Sequence, residues 1–177
     1  SSFMNKKLKL EELERISLED YKTKKKNSIV VILENIRSLH NVGSIFRTSD
    51  AFAIEKIILT GITATPPHKE IRKTALGASE SVEWSYEKSC LLAINKLKAE
   101  GYEIWAVEQT VNSIMLDKFN KPKQPLALVF GNEVEGVTQE VIDNCQGTIE
   151  IPQFGTKHSL NVSVSGGVVL WGIIQKI

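Results

Sequence analysis

The sequence predicts an α/β protein with a mostly parallel sheet covered by helices on both faces. Three observations lead there. Five apolar, β-branched runs, "SIVVILEN" (28–35), "KIILTG" (56–61), "YEIWAVEQ" (102–109), "LALVFG" (126–131) and "TIEIP" (148–152), read as strands with little polar alternation, as expected of strands buried on both faces. Helical patterns separate them, which is the signature of crossover connections between parallel strands. A chain of 177 residues with 42% hydrophobic and 24% charged residues is ordinary for one globular domain with a sizeable core.

Taken in order, "LKLEELERISLEDY" (8–21) spaces Leu8, Leu13 and Ile16 along one side of an expected helix, and "KTKKKN" follows as a link. Residues 1–27 thus form a basic N-terminal extension to a domain over 28–177. The first 26 residues carry eight Lys or Arg against five Asp or Glu. The excess at Lys24, Lys25 and Lys26, with a second group at Lys69, Arg72 and Lys73, suits either a solvated face or contact with a phosphate backbone. "NVGSIFRTSDAFA" (41–53), "EKSCLLAINKLKAEG" (87–101) and "TQEVIDNCQ" (138–146) have helical spacing, and "SVEWSY" (81–86) reads as a short strand. The last segment, "SLNVSVSGGVVLWGII" (159–174), fits two periods. Leu160, Val162 and Val164 alternate as in a strand, whereas Leu160, Val164, Val168 and Trp171 share one helical face with Ser159 placed to cap it.

Several function classes drop out. No apolar run approaches the ~20 residues of a membrane span and no signal pattern opens the chain, so a cytoplasmic protein with no membrane partner is expected. Cys90 and Cys145 are too few for a disulfide framework or a cysteine metal site. His40, His68 and His158 lack metal-ligand spacing, and no metal is expected. No G-x-G-x-x-G follows the first strand. "GNEVEG" has the glycine spacing of a phosphate-binding loop, but Val137 stands where its lysine belongs and Glu133 and Glu135 would repel phosphate.

Ligands of open α/β sheets bind beyond the carboxyl ends of the strands. Three loops there are unusual: "ENIRSLHNVGSIFRTSD", "FGNEVEG" and "IPQFGTKHSLN". Gly131 at a strand end would admit another molecule close to the backbone, with Asn132 and Glu133 projecting into the cleft or simply closing a turn. Arg47 either pairs with a surface carboxylate such as Asp50 or presents a planar fork to phosphate or ribose.

Together, "NVGSIFRTSDAF", "LVFGNEVEGV" and "IPQFGTKHSLNVSVSGGVVLW" resemble, in order and spacing, the three motifs of the SpoU (TrmH) family of RNA ribose 2′-O-methyltransferases, in the SPOUT superfamily. The resemblance runs from Ile29 to Trp171. "VEQT" (107–110), "GNE" and "IPQ…SLNVSVSGG…W" look closest to enzymes that methylate a guanosine ribose in the tRNA D-loop. The resemblance implies a C-terminal trefoil knot and makes the last segment a helix. It also implies S-adenosylmethionine as methyl donor, S-adenosylhomocysteine as product, an RNA substrate and a homodimer. Arg47 matches the family's catalytic arginine. Because its pKa exceeds ~12 it is a poor base, so orienting a phosphate and stabilising the developing alkoxide is the role expected of it. Asn41, Glu133, Ser159 and Asn161 match the other motif positions, and backbone at Val107, Gly131, Ile151 and Leu160 is expected around the adenosine. Gly172 departs from the glutamate that often follows this tryptophan in close relatives. Only a short basic helix precedes the first strand, where many rRNA-directed relatives carry a separate RNA-binding domain. A tRNA substrate is therefore expected over rRNA, with a non-catalytic RNA-binding module as the other alternative.

Overall fold

The computed structural model describes residues 4–177; the first three residues of the expected extension lie outside the described residues. Strand β1 (Asn27–Glu34) runs through the middle of the sheet, with Ile29, Val31 and Leu33 buried on one face and Val30 and Ile32 on the other. Around it lie β2 (Ile54–Thr60), β3 (Trp84–Glu87), β4 (Glu103–Val107), β5 (Ile114–Met115), β6 (Leu126–Phe130) and β7 (Gly147–Glu150). Among the described residues they make one seven-stranded sheet in the order β3-β2-β1-β6-β4-β7-β5, and each pairing is parallel. Helices α2 (Leu39–Ala51), α3 (Lys69–Ala75) and α7 (Val162–Ile174) pack Val42, Ile45, Phe46, Ile71, Val169 and Leu170 on the first face. Helices α5 (Cys90–Ala99) and α6 (Gln139–Asp143) pack Ala93, Ile94, Leu97 and Val141 on the second. Both faces are covered, which is why the strands lack polar alternation.

Three expectations fail locally. The N-terminal stretch is not one helix: it holds a 3-10 turn at Leu10–Glu12 and a short α1 (Leu18–Thr23), started by Ser17, whose hydroxyl accepts from the Asp20 amide at 3.1 Å. Leu8 and Ile16 stay exposed; an apolar stripe with nothing to pack on does not sustain a helix. Tyr21 alone of α1 is buried, its hydroxyl donating to the Asp50 carbonyl, so the end of the extension is attached to the body. "SVEWSY" divides between a short α4 (Ala78–Ser81), Val82–Glu83 and β3. Helix α3 has no counterpart among the expected elements. Its cap is His68, outside the usual capping residues, with Nδ1 accepting from the Glu70 amide at 3.0 Å. Its end is Leu76 at φ 49° rather than a glycine.

The last segment is a helix, as expected, but Asn161 caps it, its Oδ1 accepting from the Ser163 amide at 2.9 Å; Ser159 lies outside. The face turned inward is also different. Val162, Gly166, Val169, Leu170 and Ile173 are buried, while Leu160, Val164, Val168 and Trp171 are 41%, 51%, 39% and 57% exposed. A helix apolar nearly all round gives periodicity no face to choose. Gly172 has a local reason: a Cβ there would stand 2.8 Å from Leu116 Cδ2, in the turn Leu116–Lys118. The Lys176 ammonium donates to the carbonyls of Leu116, Asp117 and Phe119, anchoring the end of α7 on that turn.

Candidate active site

Strands β6, β4 and β7 lie side by side, and a cleft of about 470 Å³ opens beyond their carboxyl ends. Val107, Gly131, Glu133, Ile151, Ser159, Leu160 and Asn161 all line it. The cleft thus collects the four expected cofactor-binding positions and three of the five expected catalytic ones.

The floor is the turn 131–136. Asn132 closes it, its Oδ1 accepting from the amides of Val134 and Glu135 at 2.9 and 3.0 Å, while its Nδ2 donates to the Asn35 carbonyl at 2.7 Å. Gly131 does admit close backbone, but the backbone is the chain's own: a Cβ there would lie 2.2 Å from the Gly136 carbonyl carbon. Half-buried Glu133 turns towards the start of α2. Its carboxylate accepts from the amides of Arg37 and Ser38 at 2.9 and 2.8 Å and from Asn41 Nδ2 at 3.1 Å. Burial pushes the Glu133 carboxyl up, but these donors outweigh it and hold the group below its ordinary value. Asn41, buried in α2, therefore reaches the site through Glu133 rather than by lining the cleft.

Arg47 is exposed on α2 and does not line the cleft; Asp50, its candidate partner, instead accepts from Ser81 Oγ. Helix α2 lies against α7, with Thr48 beside Gly167 and Ile45 beside Gly166, so Arg47 stands on a helix packed against α7. The basic residues are elsewhere. Lys24 and Lys25 are exposed, and Lys26 is folded back, its ammonium 4.3 Å from the Tyr21 ring centroid and donating to the Tyr21 and Lys24 carbonyls. Lys22, Lys24 and Lys26 border a second cavity with Glu55, Glu80, Glu83 and Trp84. On α3, Arg72 is exposed and Lys73 pairs with Glu70 at 3.1 Å.

Sequence inspection missed Glu108 and Gln109, which line the cleft from the end of β4; nothing but the "VEQT" string marked them. It also missed buried Glu34, whose carboxylate accepts from the Thr138 amide and hydroxyl at 2.9 and 2.8 Å beside the same turn. Both cysteines lie away from this chemistry. Burial, followed by the Glu34 charge, pushes the Cys90 thiol far up. Burial likewise raises Cys145 to about 11, against the lowering effect of Lys98. Neither thiol is a nucleophile at neutral pH. Among the described residues no cluster of metal-ligating side chains forms and no helix is long and apolar enough to cross a membrane.

Residues 28–171 match the model of the SpoU rRNA methylase family. An uncharacterized tRNA/rRNA methyltransferase of Borreliella burgdorferi is 33% identical over 90% of this chain and 69% of its own length. The 23S rRNA (guanosine-2′-O-)-methyltransferase of Haemophilus influenzae is 30% identical over 93% of this chain and 67% of its own. This chain spans about two thirds of the length of these relatives. Among solved structures, the A. aeolicus TrmH/SpoU tRNA modifying enzyme superposes with a TM-score of 0.80 at 25% identity, over 90% of this chain and 80% of that one. An AdoMet-bound rRNA methyltransferase of Sinorhizobium meliloti superposes with a TM-score of 0.78 at 25% identity, over 93% and 62%.

Proposed function

The chain belongs to the SpoU rRNA methylase family, and from that premise we propose that it transfers a methyl group from S-adenosylmethionine to a ribose 2′-hydroxyl of RNA, with a tRNA as substrate and a D-loop guanosine as its target. The observation that carries this is the cleft. It has the volume of a small-molecule site, and its lining holds Glu108, Glu133, Glu135 and Glu150 with neither lysine nor arginine. Such a wall suits a cationic sulfonium and opposes a nucleotide triphosphate. The residues present fit the cofactor: Val107, Gly131, Ile151 and Leu160, expected to meet it through their backbone, all line the cleft. When bound, the sulfonium supplies the reactive methyl group.

The protein's part is alignment. In the reaction the methyl–sulfur bond breaks, the new bond forms to the ribose oxygen and the hydroxyl proton departs. Arg47, outside the cleft and free of hydrogen-bond or ion-pair partners among the described residues, holds an RNA phosphate and stabilises the developing alkoxide. Glu133 holds Asn41 and the start of α2, and with them the helix that carries Arg47. Asn161 and Ser159 order the facing wall. A threaded, knotted path for the C-terminal segment belongs to the same proposal. It is supported by the bonds that join residues 109–119 to the loop before α7 and to Lys176. The exposed apolar face of α7 supports a homodimer, and a cytoplasmic location belongs to the same proposal.

Calorimetry tests the proposal. S-adenosylhomocysteine should bind the folded protein while flavin and ATP do not; absence of S-adenosylhomocysteine binding would sink it. Mapping of 2′-O-methyl sites in RNA from a deletion strain then decides between tRNA and rRNA.

A further inference from the structure

The two walls of the cleft are both tied to one dipeptide at the end of β4, earlier in the chain than either wall. Glu108 Oε1 accepts from the Val137 amide at 3.0 Å, immediately after the glycine-flanked turn, and Oε2 accepts from the Gln109 amide at 2.9 Å. The Glu108 carboxylate is packed against that turn: Gly136 has φ 71°, and a Cβ there would lie 2.2 Å from Glu108 Oε1. The neighbouring side chain reaches the other way. Gln109 Nε2 donates to the His158 carbonyl at 2.5 Å, in the loop that leads to Ser159, Leu160 and Asn161. The backbone of Glu108 is itself fixed, its amide donating to the Ile149 carbonyl at 3.0 Å. One rigid strand end therefore grips the 131–137 turn with one residue and the 152–161 loop with the next.

We propose that Glu108 and Gln109 are positioning residues that hold the two walls of this cleft at the separation its ligand requires. The ligand named here rests on the function proposed above. A loop whose backbone donors and acceptors are tied before the ligand arrives loses less freedom on binding, and preorganisation of this kind appears directly in affinity. A hydrogen bond to a charged acceptor is worth about a tenfold to hundredfold change when it is removed. The clamp acts on cofactor affinity and leaves the RNA-side chemistry of Arg47 alone.

The test compares Glu108→Ala, Glu108→Gln and Gln109→Ala with the unaltered full chain, each shown folded by its melting curve. Backbone hydrogen exchange without ligand reads the clamp itself. Exchange at Val137 should quicken by about tenfold or more in Glu108→Ala and much less in Glu108→Gln, which keeps one acceptor. S-adenosylhomocysteine affinity and the KM for S-adenosylmethionine should weaken by about tenfold in Glu108→Ala and less in Gln109→Ala, and the change in KM should exceed any change in kcat. Unaltered Val137 exchange in Glu108→Ala, unchanged affinity in both alanine variants, or a fall in kcat with KM constant would each overturn the proposal. If the unaltered chain binds no S-adenosylhomocysteine, the proposed function fails, while the exchange measurement still decides whether the clamp exists.

Discussion

At the scale of single residues, Glu133 and Arg47 stand in contrasting surroundings. Glu133 accepts three hydrogen bonds from the segment that starts α2, and its carboxyl is held below its ordinary value of 4.5. A lowered folded pKa gives stability that is complete above the unfolded value and is lost as pH falls through the folded one. Chemical unfolding should therefore show Glu133→Gln less stable than the unaltered chain at pH 7 by about 1–3 kcal/mol, from the lost charged acceptor. That gap should close as the pH is taken below 4.5; a gap independent of pH would remove the charge from the account. Arg47 makes no such bonds. Arg47→Ala should abolish methyl transfer while sparing S-adenosylhomocysteine affinity, and Arg47→Lys should not restore activity, because a point charge does not reproduce the guanidinium fork. Joint loss of affinity and activity would move Arg47 into the cofactor pocket.

The elements are joined at glycines whose roles single-sequence patterns do not distinguish. Gly43 lies within "NVGSIFRT", yet its constraint comes from α3. A Cβ at 43 would lie 1.9 Å from Thr74 Oγ1 and 2.3 Å from the Ile71 carbonyl oxygen. The same Thr74 hydroxyl donates to the His40 carbonyl at 3.0 Å, tying α3 to the first turn of α2. The Ile71 oxygen is backbone and cannot swing aside. Gly43→Ala should cost about 1–3 kcal/mol of overpacking, against roughly 1 kcal/mol gained in helix propensity. A net fall in melting temperature of a few degrees would follow, at ~2–4 °C per kcal/mol; a rise would show that the helices separate freely. Expected and observed elements agree best where burial enforces a period. Strands β4 and β6 and helices α5 and α6 fall within the expected segments, and β1, β2, β7 and α2 overlap theirs but start one or two residues earlier. Helix α3 and the two-residue β5 escaped because seven and two residues are too few for a period to show.

For the whole molecule, two surfaces of the described residues bear on partners. The outer side of α7 presents Val164, Val168 and Trp171, with Phe52 tilted against Trp171 at 5.9 Å between ring centroids. Apolar residues gathered on one face suit the proposed dimer interface. Val164→Glu should therefore convert a dimer to a monomer in sedimentation; a monomeric unaltered chain, or a dimer that survives the substitution, would refute this interface. The basic extension is the second surface. Replacing Lys24, Lys25 and Lys26 by glutamine should weaken tRNA binding and flatten its salt dependence, at about 0.9 in log–log slope for each phosphate no longer neutralised. Since the Lys26 ammonium is held by the Tyr21 and Lys24 carbonyls, Lys24 and Lys25 should account for most of the change. Unchanged affinity and slope would transfer the RNA-binding role to Lys69, Arg72 and Lys73.

By itself the sequence determined the α/β class, the parallel sheet and two of the loops that line the candidate cleft. Those features follow from hydrophobic period, chain length and motif spacing, which are local properties. Tertiary structure decided which face of α7 is buried, because a helix apolar all round leaves that choice to its neighbours. It decided that Glu133 serves Arg37, Ser38 and Asn41, more than ninety positions away, and that Gly131 makes room for Gly136. It also brought Glu108 and Gln109 between the two walls of the cleft. Hydrogen-bond partners so distant along the chain leave no periodic trace in it; they exist only once the strand order has placed β1 beside β6 and β4 between β6 and β7.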